Sequence, residues 1–248
     1  MHRRLFLSAV NATVWGSAIW APVASRPTSL PQVHQLSLLP FDQELGTATD
    51  GALVRKLRFK MIGVGAFGCT VAVKIMTSGM QEIEYVFADS QNKGTGQSGC
   101  HKFVRLNRSA LKHYGCLRDR VRETEETVVD SIRSALEDTD VLFITAGLGG
   151  CTGTRSAPII SLFAREMGIV TVGVVTLPLD HEGKYRTIIA DQGLIELRAN
   201  IDSLIVRPHD KLLESLGDAV TAAELSDYCV AQIKSVVGGI VANTEVRG

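Results

Sequence analysis

An excess of charge of either sign is missing from this chain. Its 248 residues hold 26 Lys and Arg against 26 Asp and Glu, which leaves no net charge. A protein that follows a nucleic-acid backbone needs a basic stripe or patch. The sequence has none, so nucleic acid is not an expected partner. Aromatics make up only 6% of the residues, too few for a platform that stacks single-stranded bases. The five cysteines are Cys69, Cys100, Cys116, Cys151 and Cys229. They form no C-x-x-C pair, and no Cys/His cluster has zinc spacing, so no metal site is expected. Their odd number and irregular spacing read as reduced thiols in a cytoplasmic protein. The sequence G-K-[ST] does not occur after a glycine run, which excludes a Walker phosphate loop. There is no internal repeat, and no apolar run is unbroken for long enough to be an ordinary membrane span.

What is present begins with 45% hydrophobic residues, enough for one sizeable core. The length suits one domain of about 190 residues with a tail. At the N-terminus, Arg3-Arg4-Leu5-Phe6-Leu7 is similar to a twin-arginine export signal. A moderately apolar stretch, Leu5 to Ala21, follows, and Val23-Ala24-Ser25 is a weak cleavage site. An unstructured extension is the alternative reading, and it agrees better with unpaired cysteines. Residues 22–50 read as linker, with Pro22, Pro27, Pro31 and Pro40 scattered among polar residues. The expected division is therefore an extension over residues 1–52 and a folded domain over residues 53–248.

Within the domain, strand and helix signals alternate. Leu57–Val64, Ile83–Ala88, Lys102–Leu106, Asp140–Thr145, Ile169–Thr176 and Ile201–Val206 read as strands. Ile169–Thr176 is a continuous apolar run rich in Val, as expected of a strand buried on both faces. Helical spacing covers Cys69–Ser78, Asp119–Leu136, Gly153–Met167, Gly183–Arg198, a short turn at Leu212–Leu216, and Ala219 to about Val241. The pattern predicts an α/β fold, a doubly wound parallel sheet with helices on both faces. Ligands on such a sheet bind outside the carboxyl ends of the strands.

Two glycine turns lie at those ends. The richer one runs Thr145-Ala146-Gly147-Leu148-Gly149-Gly150-Cys151-Thr152-Gly153-Thr154. It links a strand to a helix, where backbone N–H groups and the helix N-terminus favour an anion. Gly149, Gly150, Thr152, Gly153 and Thr154 are the candidate phosphate contacts. The other turn is G-x-G-x-x-G at Gly63, Gly65 and Gly68, with Asp89 closing the next strand. In isolation it is a dinucleotide fingerprint for NAD. Equally, it can be a turn that only packs a strand against its helix. Phe67 inside it would put a bulky ring where backbone should meet phosphate.

The first of these runs resembles the tubulin/FtsZ signature G-G-G-T-G-[ST]-G, with Cys151 and Arg155 in place of two glycines. The resemblance continues from Leu57 to the C-terminus. Val172-Gly173-Val174-Val175-Thr176-Leu177-Pro178 looks like V-G-V-V-T-K-P, and Glu182-Gly183-Lys184-Tyr185-Arg186 like E-G-x-x-R. Ile201–Val206, Asp210–Leu213 and Val237-Gly238-Gly239-Ile240 match as well. The resemblance implies a Rossmann-like GTP-binding domain of the cell-division class, taking GTP or GDP, with or without Mg2+. Gly65 and Gly68 would assist at the phosphates. Glu182 and Arg186 would lie on the sugar and base side; the bland alternative is an i,i+4 ion pair.

Other segments depart from the family. The glycine loop that wraps the terminal phosphates has become Ala110–Arg118, where Lys112, His113 and Arg118 are either substitute charge or a solvated loop. Asp89-Ser90-Gln91 stands for N-T-D. Ser226 and Val230 fall where the family reads guanine. The family's N-x-D-x-x-D loop, which orients the attacking water, belongs to a second domain that this sequence is expected to lack. The expectation is a GTP-binding protein with no catalytic residues of its own, in which hydrolysis is impaired or depends on a partner subunit. That partner would be FtsZ or a second copy of the chain. The alternative is a degenerate module that binds or caps FtsZ filaments without nucleotide. Arg155 either adds a cation to the phosphate site or fills it.

Overall fold

The computed structural model describes residues 57–91, 102–106, 117–208 and 222–245. The extension and its signal-like start, the Leu212–Leu216 turn, the Asp210–Leu213 match and most of the Ala110–Arg118 loop lie outside the described residues.

Six parallel strands form one sheet in the order β3-β2-β1-β4-β5-β6. They are β1 (Phe59–Val64), β2 (Ile83–Asp89), β3 (Lys102–Arg105), β4 (Val141–Gly147), β5 (Val170–Leu177) and β6 (Ser203–Pro208). The helices are α1 (Gly65–Thr77), α2 (Leu117–Glu123), α3 (Glu126–Leu136), α4 (Cys151–Glu166), α5 (Lys184–Arg198) and α6 (Ala222–Glu245). The chain moves outward from β1 through β2 to β3, then returns to β4 on the other side of β1. That reversal makes β1 and β4 neighbours, with Gly63 opposite Thr145 and Val64 opposite Ala146. A crevice opens at such a switch point, above the carboxyl ends of the two strands.

Side-chain alternation sorts the core into two halves. Phe59, Met61, Tyr85, Phe87, Val141 and Phe143 face one side and bury against Cys69, Val71, Ala72 and Ile75 of α1 and Ile233, Val237, Ile240 and Val241 of α6. Ile62, Val64, Val86, Leu142 and Ile144 face the other side and bury against Ile132 and Leu136 of α3, Ile160 and Phe163 of α4, and Leu197 of α5. Both faces of β1 and β4 are thus covered, and their near-continuous apolar runs follow from that. Along α6 the buried positions recur every three or four residues, the helical period.

Two expectations need correction. Asp119–Leu136 is not one helix. Thr124 interrupts it, its hydroxyl donating to the Arg120 carbonyl at 2.8 Å and its N–H to the Val121 carbonyl at 3.2 Å. The chain then restarts at Glu125 and Glu126, acidic residues suited to a helix N-terminus. The first helix also begins earlier than its apolar spacing suggests. Gly65, at φ +72°, turns the chain directly from β1 into α1.

Candidate functional site

Two helices begin at the carboxyl edge beside the switch point, and neither has a side-chain cap. α1 follows Val64 and α4 follows Gly150, with no capping hydrogen bond and no acidic residue in the first turn of either. Their first N–H groups therefore lack intrahelical partners and face a common crevice with partial positive charge. The two starts are in close contact. A Cβ on Gly65 would lie 3.0 Å from the Gly153 amide nitrogen, and one on Gly153 would lie 2.5 Å from the Gly147 carbonyl oxygen. Gly150, at the N-cap of α4, has open space where a side chain would stand. Glycine backbone at two helix starts without a side-chain cap at the N-cap residue is an arrangement suited to a phosphate group.

The sequence-predicted residues divide by role. Gly65, Gly150, Thr152 and Gly153 surround the opening. Gly149 takes φ +97° and donates its N–H to the Thr154 hydroxyl at 2.8 Å. Thr154 is buried, so its hydroxyl braces the loop from inside. Gly68 lies within α1, where a Cβ would meet the Thr145 carbonyl oxygen at 2.3 Å. Helix-to-strand packing accounts for that glycine without any ligand. Phe67 does not stand in the opening. Its side chain is turned onto Gly147 and the apolar cluster beneath α1, with 3.1 Å between the Phe67 Cβ and where a Gly147 Cβ would be.

Glu182 and Arg186 form the i,i+4 ion pair. The other Glu182 oxygen accepts the Leu179 N–H at 2.9 Å, so Glu182 also closes the turn before α5. That turn abuts the glycine loop. A Cβ on Gly149 would come within 3.1 Å of Pro178 Cγ and 3.3 Å of the Arg186 carbonyl oxygen. The structure thus brings the V-G-V-V-T-L-P and E-G-x-x-R segments to one side of the opening. Arg155 is buried in α4 and the Cys151 side chain is exposed at its start.

Sequence reasoning left Ser90 outside the candidate site. Its hydroxyl lies 3.3 Å from the Thr152 hydroxyl and 3.5 Å from Asp89 Oδ1, and its N–H donates to the same Asp89 oxygen at 2.6 Å. The signal available was the position of Ser90 directly after β2, next to β1 in the sheet. Among the described residues, no group of three or more His, Cys, Asp and Glu side chains is placed to hold a metal ion. No helix among them is long and apolar enough to cross a membrane.

The fold defines a doubly wound α/β protein whose two glycine turns meet at its topological switch point. The profile of the Tubulin/FtsZ family, GTPase domain, matches residues 58–217. The chain belongs to that family. It is 34% identical over 187 residues to the cell division protein FtsZ of Neisseria gonorrhoeae, covering 73% of this chain and 46% of that one. The FtsZ of Coxiella burnetii is 38% identical over 166 residues, with 66% and 43% covered. The chain therefore spans less than half the length of these relatives. Among solved structures, an empty FtsZ dimer from M. jannaschii superposes with a TM-score of 0.64 at 27% identity, covering 75% of this chain and 55% of that one. CetZ2 from Haloferax volcanii shares the fold, with a TM-score of 0.60 at 20% identity over 75% of this chain and 58% of that one.

Proposed function

We propose that this chain binds a guanine nucleotide, GTP or GDP, by its phosphates, and that it does not hydrolyse GTP unaided. Gly65, Gly149, Gly150, Thr152 and Gly153 would form the cradle, with Thr154 and Gly68 supporting it. Glu182 and Arg186 would border the sugar and base. The observation that carries this reading is the approach of Gly65 to the Gly153 amide nitrogen, which sets two uncapped helix starts around one opening. When bound, the nucleotide supplies the phosphates and any Mg2+ they carry. The chain's own part is to hold and orient it. At this edge Asp89 Oδ1 accepts the Ser90 N–H and lies 3.5 Å from the Ser90 hydroxyl, contacts that close the end of β2.

A partner subunit would supply that function, and the family match favours an FtsZ subunit or a second copy of this chain. The place of action is then the cytoplasm. Calorimetric titration with GTP and GDP tests the binding reading. No heat up to about 1 mM, the weak end of ordinary affinities, would overturn it. Phosphate release on adding full-length FtsZ, and not without it, is the outcome expected for hydrolysis. A second reading, a module that binds or caps FtsZ filaments without nucleotide, draws on Cys151 and the buried Arg155, which stand where the family signature carries glycine. Sedimentation with FtsZ filaments in the absence of nucleotide binding would establish it.

A further inference from the structure

We infer that Gly193, on the inner side of α5, is a positioning residue for the cradle and acts through Thr154 on Gly149. The inference rests on the nucleotide-binding reading above and extends it to a residue that borders no part of the opening.

The two branches of the Thr154 side chain do different things. The hydroxyl accepts the Gly149 N–H at 2.8 Å and fixes a loop residue held at φ +97°. The methyl group points at α5, where a Cβ on Gly193 would lie 2.3 Å from it. Such a distance cannot exist, so one of the two must move. Threonine is stiff at χ1, and rotating its methyl away carries the hydroxyl with it. The bare α-carbon of Gly193 is what permits the rotamer that presents Oγ1 to Gly149.

Relief by shifting α4 instead is restricted. The same Gly193 Cβ would sit 3.1 Å from the Thr154 carbonyl oxygen. That carbonyl has no intrahelical donor four residues on, because Pro158 carries no N–H. α4 is already interrupted at this level, and α5 lies close against the gap. At its other end α5 meets the loop again, through Pro178 and the Arg186 carbonyl beside Gly149. The loop from Gly149 to Thr154 is thus held at both ends by one helix and the turn that leads into it.

The test is titration of the full chain with GDP, each variant first shown to be folded by circular dichroism and melting. G193A is expected to weaken binding about tenfold or more, the cost of forfeiting one buried hydrogen bond at the cradle. T154S alone keeps the hydroxyl that accepts the Gly149 N–H, and its affinity is the reference for the double variant. In the double variant G193A/T154S the methyl is gone, and most of the loss should be recovered. The remaining tight contact with the Thr154 carbonyl would leave a residual deficit. I160V, which loosens the core on the same helix away from the cradle, should leave affinity within about twofold. Should G193A fail to fold, T154V serves in its place, with the hydroxyl removed and the shape kept, and a loss of about tenfold is expected. Unaltered binding by G193A or T154V, or a double variant no better than G193A, overturns the inference. Absence of binding by the unsubstituted chain overturns the nucleotide reading, and this inference with it.

Discussion

Gly65 faces Gly153 so closely that a Cβ on Gly65 would lie 3.0 Å from the Gly153 nitrogen, and Gly153 in turn backs onto the Gly147 carbonyl oxygen, 2.5 Å from where its own Cβ would stand. They belong to different glycine turns, on neighbouring strands, and their contact joins the two turns into one opening. G65A meets a second penalty, because φ +72° costs an L-residue about 1–2 kcal/mol. The expected result is a loss of nucleotide affinity of about tenfold or more, with the fold retained. A titration of G65A that matches the unsubstituted chain would show that the opening does not hold phosphate.

Ser90, just past the end of β2, and Thr152, in the first turn of α4, present hydroxyls 3.3 Å apart. If both serve one bound anion, removing either one disables the pair. S90A and T152V are each expected to weaken GDP binding by about three- to tenfold, and the double variant by less than the product of the two. Full additivity in the double-mutant cycle would mean that the two hydroxyls act apart.

Cysteine accessibility gives a direct view of the cradle. Cys151 is exposed at the first position of α4, whereas Cys69 and Cys229 are buried. Alkylation followed by peptide mapping should mark Cys151 early and the other two only on unfolding. Saturating GDP should slow the Cys151 reaction severalfold. Equal labelling with and without GDP would separate Cys151 from any bound nucleotide.

The same two buried thiols set an alkaline limit on stability. Burial, reinforced by the nearby Asp89 charge, pushes Cys69 up to about 12, and burial pushes Cys229 up to about 11 despite the opposing pull of Arg207. In the unfolded chain both ionise near pH 8.5. The folded state therefore binds more protons above that pH, and stability falls as pH rises toward the folded values. Each thiol contributes a slope of up to about 1.4 kcal/mol per pH unit. Urea midpoints of a C69A/C229A double variant, followed from pH 8 to pH 10.5, should decline less steeply than those of the parent. Parallel curves would refute the assignment.

At the acidic end the relevant pair is Arg58 and Asp138, 2.6 Å apart. The Arg58 hydrogen bond and charge hold the Asp138 carboxyl below its usual range. A depressed carboxyl stabilises above its unfolded pKa and ceases to do so as pH falls through its folded value. Asp138 also adopts φ +58°, a conformation that Asn tolerates. D138N should therefore lower stability slightly near neutral pH, and the difference should vanish in acid and in high salt. A deficit unchanged by either condition would point to backbone geometry in place of charge.

Much of this architecture is written in the residues. Val170–Leu177 and Val141–Gly147 are continuous apolar strands because both faces are covered, and their run lengths mark them clearly. The break at Thr124 was hidden because Val121, Val128 and Ile132 keep a helical stripe going across it. Only the Thr124 hydroxyl and the pair Glu125 and Glu126 mark the restart. Within the site, the glycines of the Gly147–Gly153 run were legible as backbone approach, but their division of labour was not. Whether a glycine faces a ligand or a carbonyl, as Gly68 does, depends on which strand lies beside it. The roles of Ser90 and Gly193 depend on contacts between segments far apart in the chain, and no local spacing records them.

The central position of β1 has a consequence for how the chain acquires its structure. Its partner on one side, β2, is close in sequence. Its partner on the other, β4, enters with Asp140, 82 residues from Arg58. During synthesis the β1–β2 pair can form long before β4 emerges, and the other edge of β1 then waits as an open, apolar template. Pairings of such sequence separation close slowly, and exposed strand edges invite association in the meantime. The switch point that forms the crevice thus closes only once β4 has been made, and refolding yield should fall with protein concentration more steeply than for a sheet built of neighbouring hairpins.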